Sequence, residues 1–104
     1  MTQKEILINY LISNCNGYEN RQKAFKLMQI VNIEDHKTFR NVIEEIRQDD
    51  NEIFICSEAG RKGGYWIPDT YEEVQNTLDH LYKRAKEMLK TYSILKKKIR
   101  RKGI

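Results

Sequence analysis

The side chains in this sequence best suited to chemistry are cations and an amide that recur at helical spacing. The members of this set are Lys37, Arg40, Asn41 and Arg47. Arginine can donate two hydrogen bonds to the edge of a guanine, and asparagine can bond in the same bidentate way to adenine. An α-helix that carries such side chains on one face fits the major groove of double-stranded DNA. In isolation this spacing is that of an ordinary charged helix face, and DNA contact is favoured only together with the order of elements described below.

A second candidate is a pair of cations, Arg61 and Lys62, in a segment bounded by glycines. At the tip of a hairpin, two cations with little surrounding bulk could bind phosphates or enter the minor groove. Both candidates also have an ordinary interpretation. Arg40 and Glu44 could form an i, i+4 pair worth about 0.2–0.5 kcal/mol on a solvated helix face, and cations keep a hairpin edge soluble.

The groups that enzymes use are scattered along the chain. No nucleophile stands beside a histidine and an acid, and there is no glycine-rich phosphate loop. Cys15, Cys56, His36 and His80 occur singly, without the close pairs typical of structural zinc sites. We therefore expect no catalytic set, no metal site and no cofactor, and a protein that is not an enzyme.

Two short helices are predicted in the first 31 residues. The capping box Thr2-x-x-Glu5 begins the first, and the segment 14–17, rich in Asn and Gly, ends it. Asn20 is expected to cap the second. Apolar residues recur at helical spacing in both helices, and we expect them to form part of the core: Ile6, Leu7, Tyr10, Leu11, Ala24, Leu27, Met28 and Val31.

A third helix and a hairpin are predicted to follow. Asn32 marks the turn, and Glu34 or Asp35 caps the helix, whose apolar face is Phe39, Val42, Ile43 and Ile46. Residues 52–57 read as a strand, 58–63 as a loop and 64–68 as a returning strand. The aromatic and apolar side chains of the second strand are assigned to the core: Tyr65, Trp66 and Ile67.

The most regular pattern is a set of mostly apolar residues spaced alternately by three and four. We call this set the apolar stripe: Tyr71, Val74, Leu78, Leu81, Ala85, Met88, Tyr92, Leu95 and Ile99. It predicts one long helix, begun by Asp69 or Thr70, with a heptad register. We expect this coiled-coil helix to form a homodimer, mainly through Leu78, Leu81, Met88, Tyr92 and Leu95. Both parallel and antiparallel pairing of the two helices are compatible with the sequence. The alternative is a helix that folds back along its own chain.

Charge is unevenly distributed along the 104 residues. Residues 1–68 contain nine Lys or Arg against ten Asp or Glu, whereas residues 69–104 contain ten against five. The basic tail, residues 96–102, could contact phosphates or be a solvated helix end. No apolar run approaches the roughly 20 residues of a membrane span, and the N-terminus lacks the pattern of a signal peptide. We expect a cytoplasmic protein without membrane contact.

The segment "FRNVIEEIRQDDNEIFICSEAGRKGGYWIP" (39–68) resembles the recognition helix and wing of winged helix-turn-helix proteins from bacteria, phages and plasmids. The resemblance covers residues 3–68. It implies an α+β, mostly α fold, with three helices and a β-hairpin wing in domain 1–68 and a dimerisation helix with a basic tail in 69–104. Where many family members have Gly in the turn between helices, this chain has Asn32. The third helix also opens on Glu34 and Asp35, where the family approaches DNA.

The resemblance implies a sequence-specific binder of double-stranded DNA that acts as a dimer, most simply a transcriptional regulator. An accessory factor for plasmid transfer, replication or phage DNA processing would need the same contacts. A third interpretation is of another class, because the same fold can serve as a protein-interaction module that does not bind DNA. The acidic start of the third helix and the near-neutral first 68 residues favour that interpretation.

Overall fold

The computed structural model describes residues 1–103. They form a mostly helical α+β fold with four α-helices, one 3₁₀ turn and a two-stranded antiparallel sheet. The elements in chain order are α1 (Gln3–Asn14), the 3₁₀ turn (Tyr18–Asn20), α2 (Ala24–Val31), α3 (His36–Gln48), β1 (Cys56–Glu58), β2 (Gly64–Trp66) and α4 (Tyr71–Arg101). The chain divides into two compact units, Met1–Val74 and the residues from Gln75 onward, so the division falls within α4.

The capping box predicted for α1 is confirmed. Thr2 Oγ1 accepts a hydrogen bond from the Glu5 N–H at 3.1 Å. The prediction that Asn20 caps α2 is wrong, because Asn20 ends the 3₁₀ turn and α2 begins at Ala24. The backbone between Asn20 and Ala24 instead forms hydrogen bonds with the hairpin. The N–H of Gln22 donates to the carbonyl of Tyr65 at 3.1 Å, and the N–H of Tyr65 donates back to Gln22 at 2.8 Å.

The turn before α3 follows the sequence prediction. Asn32 adopts the left-handed conformation with φ 57° and ψ 48°, which asparagine tolerates better than most residues with a Cβ. Of the two candidate caps, Asp35 is the one used, and its carboxylate accepts from the Thr38 N–H at 3.0 Å. α3 therefore begins at His36, directly after this cap.

The hairpin is shorter than its sequence predicts. Residues 52–55 lie outside the strands, although Ile55 is buried in the core. Two glycines explain how the chain closes so tightly. A Cβ on Gly63 would lie 1.9 Å from the Glu58 carbonyl oxygen, and one on Gly64 would lie 2.7 Å from that of Gln22. Both positions thus need a residue without a side chain.

The core lies within the unit Met1–Val74 and takes one face from each of the first three helices. Its largest fully buried side chains are Phe39, Leu7, Leu11, Leu27, Ile43, Ile46, Ile55 and Val31. Trp66 is buried as predicted, while Tyr65 and Ile67 are half-buried and pack against the same cluster. The Tyr65 ring meets the Phe39 ring edge-on at 5.5 Å, so β2 is attached directly to α3. Among the helices of residues 1–103, none combines the length and apolar character needed to cross a membrane.

Glu73 joins the start of α4 to β2. Its carboxylate accepts from Trp66 Nε1 at 2.8 Å, from the Thr70 hydroxyl at 2.8 Å and from the Thr70 N–H at 2.9 Å. Thr70 Oγ1 in turn accepts from the Glu73 N–H at 3.3 Å, which completes a capping box. Partial burial alone would raise the pKa of the Glu73 carboxyl, but these hydrogen bonds outweigh it and hold the pKa below its usual value.

We expect Glu73→Gln to lower the free energy of unfolding at neutral pH by about 1–2 kcal/mol, because an uncharged amide with one acceptor oxygen cannot replace the charge-assisted bonds from Trp66 and Thr70. Since the folded pKa is depressed, the stabilisation is present above the unfolded pKa, about 4.3, and is lost as pH falls through the folded value. The difference in unfolding free energy between variant and wild type should therefore begin to shrink as pH falls through about 4.3 and should vanish below the lower, folded pKa. Urea denaturation across this range measures it.

Glu72→Gln is the matched control, because Glu72 lies beside Glu73 in the first turn of α4 and is exposed. It should leave the unfolding free energy nearly unchanged at every pH. An equal loss in both variants would mean that the Glu73 bonds do not stabilise the start of α4.

Candidate nucleic-acid interface

One face of α3 presents the predicted polar set to solvent. Lys37, Arg40 and Asn41 are all exposed, because the opposite face of the helix is fixed in the core by Phe39, Ile43 and Ile46. Arg40 does not pair with Glu44 as the ordinary interpretation allowed. Glu44 instead bonds Arg47 at 3.3 Å, which leaves the arginine and the amide of this face available to an external partner.

Arg47 occupies a different place from the other members of the set. Its Nη2 donates to the Ile55 carbonyl at 2.8 Å and to Ser57 Oγ at 2.9 Å, and only 17% of its side chain is exposed. These bonds attach the end of α3 to the segment that leads into the hairpin. Arg47 therefore has a structural role, and we do not include it among the DNA-contacting residues proposed below.

Charge changes sign along α3. Lys37 and Arg40 lie in its first half, whereas acidic residues gather at its end and beyond it: Glu44, Glu45, Asp49 and Asp50. Lys4 of α1 forms an ion pair with Asp49, and that bond raises the pKa of the lysine. A polyanion would therefore approach the first half of α3 and avoid the second half.

The acidic start of α3 is partly explained by capping. The bonds from the Thr38 side chain and backbone lower the pKa of Asp35, so this carboxylate is ionised at the positive end of the helix and offsets its dipole. Glu34 is exposed and has no such role. Asp35 thus caps the helix, whereas Glu34 remains on the surface near His36.

The hairpin loop, residues 59–63, exposes Arg61 and Lys62. The loop is anchored by Arg21, whose Nε donates to the Lys62 carbonyl at 2.6 Å. The Arg21 guanidinium also lies 3.9 Å from the centre of the Tyr18 ring. Tyr18 in turn donates its hydroxyl to Glu58 at 3.0 Å, and that bond raises the pKa of the tyrosine. The segment between α1 and α2 therefore fixes where the two loop cations stand.

Nothing in the sequence indicates this anchor. Arg21 lies in a polar stretch with neither helical nor strand periodicity, and its partners are 3 and 41 residues away. The bridges of Gln22 with Tyr65 and of Asn16 with Ile67 bring the stretch to the hairpin. The nearest available signal was Tyr18, an aromatic residue in an otherwise polar turn.

The hairpin and the start of α3 border the same shallow depression. It is lined by residues of α2, of the first turn of α3 and of the hairpin, among them Phe25, His36, Gly60, Gly63 and Tyr65. The hairpin loop and the first turn of α3 are therefore neighbours in the unit Met1–Val74.

The apolar stripe is exposed along α4. The five residues predicted for dimerisation retain between 36% and 71% of their accessible surface: Leu78, Leu81, Met88, Tyr92 and Leu95. Leu89 and Ile94 add further exposed apolar surface to the same helix. An exposed apolar stripe of this size is typical of helices that bind another surface.

Neither the cysteines nor the histidines form a reactive or metal-binding group. Cys15 and Cys56 are buried thiols that do not form a disulfide, and burial raises the pKa of Cys15, which keeps it protonated. Within residues 1–103, no three His, Cys, Asp or Glu side chains stand close enough to hold a metal ion. Comparison with protein-family models, curated proteins and solved structures finds no match to this chain.

Proposed function

We propose that the unit Met1–Val74 is a winged helix-turn-helix domain and that the protein binds double-stranded DNA sequence-specifically, as a transcriptional regulator. The observation that carries the proposal is that the first turn of α3, through His36, and the hairpin loop, through Gly60 and Gly63, line one depression. The exposed cations of both elements adjoin these residues in the chain, Lys37 after His36 and Arg61 and Lys62 between the two glycines. The order of elements, with α2 and α3 joined by a tight turn and followed by a hairpin, supports it as well.

In the proposed complex, the first half of α3 enters the major groove. Arg40 and Asn41 are placed to contact base edges, and Lys37 a phosphate. The hairpin loop brings Arg61 and Lys62 to the adjacent backbone or minor groove. The acidic end of α3 then faces away from the duplex, which agrees with the change of sign along the helix.

The apolar stripe is proposed to pair with the same stripe of a second copy. The argument is its unbroken alternation of three and four over four heptads, which suits a partner helix with the same repeat. Two DNA-binding units joined in this way would contact two half-sites. An accessory factor acting at an origin would use the same arrangement, so only the position of the bound site separates it from a regulator.

The test is selection of genomic fragments by the purified protein, followed by footprinting and by titration of the best site at several salt concentrations. We expect an enriched pair of half-sites and an affinity that falls steeply with salt, because cations on the protein displace counterions from DNA. Footprints at promoters would identify a regulator, and footprints at an origin an accessory factor. Random enrichment with no affinity for DNA would reject the proposal.

We expect Arg61→Ala/Lys62→Ala to weaken binding to the selected site about tenfold at moderate salt, because two phosphate contacts and their released counterions are lost. The slope of log affinity against log salt should become shallower by nearly two. Fluorescence anisotropy with labelled duplex measures both quantities. The matched control is Lys4→Ala/Lys26→Ala, which removes the same charge from residues outside the proposed interface. A folded hairpin variant that binds like wild type would remove the hairpin from the interface.

A protein-interaction module is the second candidate, and one side chain favours it. Phe25 is 59% exposed on α2, beside Glu34 in a second shallow depression. An exposed phenylalanine near an acidic group suits a basic, apolar protein segment better than it suits DNA. On this interpretation the protein shows no salt-dependent affinity for DNA, and Phe25→Ser abolishes binding of the partner segment.

A further inference from the structure

The residues from Gln75 onward carry a second regular pattern, formed by cations. Nine Lys or Arg of α4 and Lys102 just beyond its end, ten cations in all, stand there against only two acids, Asp79 and Glu87. Five of the ten repeat in the same alternation of three and four as the apolar stripe, with Ser93 in the one remaining place. We call them the basic stripe: Lys83, Lys86, Lys90, Lys97 and Arg100.

The basic stripe and the apolar stripe lie on nearly opposite sides of the helix. Lys86 follows Leu81 by five residues, and Lys90 follows Ala85 by five, which corresponds to a rotation of about 140° at 3.6 residues per turn. All members of the basic stripe are exposed. If the apolar stripes of two copies pair, each copy therefore keeps its row of cations on the outside.

The charge of this part of α4 opposes its own pairing. Each copy brings a net charge of +8 from ten cations and two acids. In most coiled coils, acids and bases beside the seam attract one another across the interface. Here the flanking places contain no acid, and their cations are Arg84, Lys96 and Lys98. The repulsion between two such helices is thus left uncompensated by the protein itself.

We infer that the basic stripe binds the phosphate backbone of nucleic acid and that this binding promotes pairing of the apolar stripes. The inference rests on the dimer in the proposed function. A polyanion lying along the cations neutralises the repulsion, so assembly and binding are thermodynamically linked and each favours the other. Free protein at low salt is then largely monomeric, and it dimerises on DNA.

A nucleic acid fits this row better than a lipid surface does. An amphipathic helix on a membrane buries its apolar side and keeps its cations beside that side, near the headgroups. In α4 the basic stripe lies on the side opposite the apolar stripe, so one membrane surface could not contact both. A linear polyanion and a second helix can occupy the two sides at once.

The first test is the salt dependence of self-association. Added salt should strengthen self-association, whereas it weakens DNA binding. The range over which charges repel shrinks from about 30 Å at 0.01 M salt to about 3 Å at 1 M. Raising NaCl from about 30 mM to about 500 mM should therefore tighten the full-length dimer about tenfold or more, as measured by sedimentation equilibrium. A dissociation constant that stays constant or rises with salt overturns the inference.

The second test adds a short duplex of random sequence at low salt. Wild type should shift to dimers on the duplex. Lys83→Gln/Lys90→Gln should dimerise more tightly without DNA, respond less to salt and gain little from the duplex. The control Lys4→Gln/Lys26→Gln removes the same charge from the unit Met1–Val74, outside the proposed interface, and should behave like wild type. Equal responses of the two variants would assign the effect to net charge alone and overturn the basic stripe as a site.

A third arm uses vesicles of phosphatidylcholine and phosphatidylserine in place of the duplex. Dimerisation on the duplex but not on the vesicles supports the inference, and the reverse result overturns it in favour of a lipid surface. Failure of the proposed function would look different. If random duplex promotes dimers while no sequence is preferred, the sequence-specific regulator is rejected and the inference about the basic stripe is kept. If no dimer forms under any condition, both the proposed dimer and the inference are rejected.

Discussion

Met88→Glu/Leu95→Glu should convert the protein to monomers and lower its affinity for a two-half-site duplex by about 100-fold or more. Both residues belong to the apolar stripe and are exposed in the single chain, by 71% and 52%. A dimer of the variant would have to bury four carboxylates in an apolar seam, at a cost of several kcal/mol for each charge. A monomer binds each half-site separately and loses the gain in effective concentration that tethering provides.

The measurement is sedimentation equilibrium at high salt, where repulsion between the basic stripes is screened, together with anisotropy on one and two half-sites. The matched control is Asn76→Glu/His80→Glu, which adds the same two charges outside both the apolar stripe and the basic stripe. We expect the control to stay dimeric, and the test variant to bind a single half-site as wild type does. A wild-type protein that is monomeric at high concentration, at both low and high salt and with DNA, would contradict the two-half-site arrangement.

The parts of the fold that could be predicted from the sequence are those set by local periodicity and caps. α1 with its capping box, the left-handed Asn32 and the long α4 all depend on residues within a few places of one another. The start of α2 could not be predicted in this way. Asn20 has the right chemistry for a cap, but the backbone at Gln22 is held by Tyr65, 43 residues further on, and that pairing delays the helix to Ala24.

The candidate interface shows the same division between local and distant causes. Helical spacing placed Lys37, Arg40 and Asn41 on a solvent face, and the structure has them exposed. Arg47 fits the same spacing, yet a carbonyl and a hydroxyl from the segment leading into the hairpin occupy its guanidinium. Periodicity gives the side of a helix on which a residue lies, whereas the element that packs near that side decides whether the residue remains available to a ligand.

Arg40→Ala and Asn41→Ala should each reduce the difference in binding free energy between the selected site and random DNA by about 1–3 kcal/mol, the usual contribution of one good base contact. Both side chains lie in the exposed half of α3 that is free of acids. Lys97→Ala/Arg100→Ala, in the basic stripe, should instead weaken selected and random DNA alike, since phosphate contacts carry no sequence information. Competition binding with the two DNAs separates these outcomes. If Arg40 and Asn41 are neutral while Arg61 and Lys62 are essential, Glu34 at the entrance of α3 offers the physical reason: its carboxylate would keep this end of the helix from the phosphates, and the hairpin would be the element that reads the sequence.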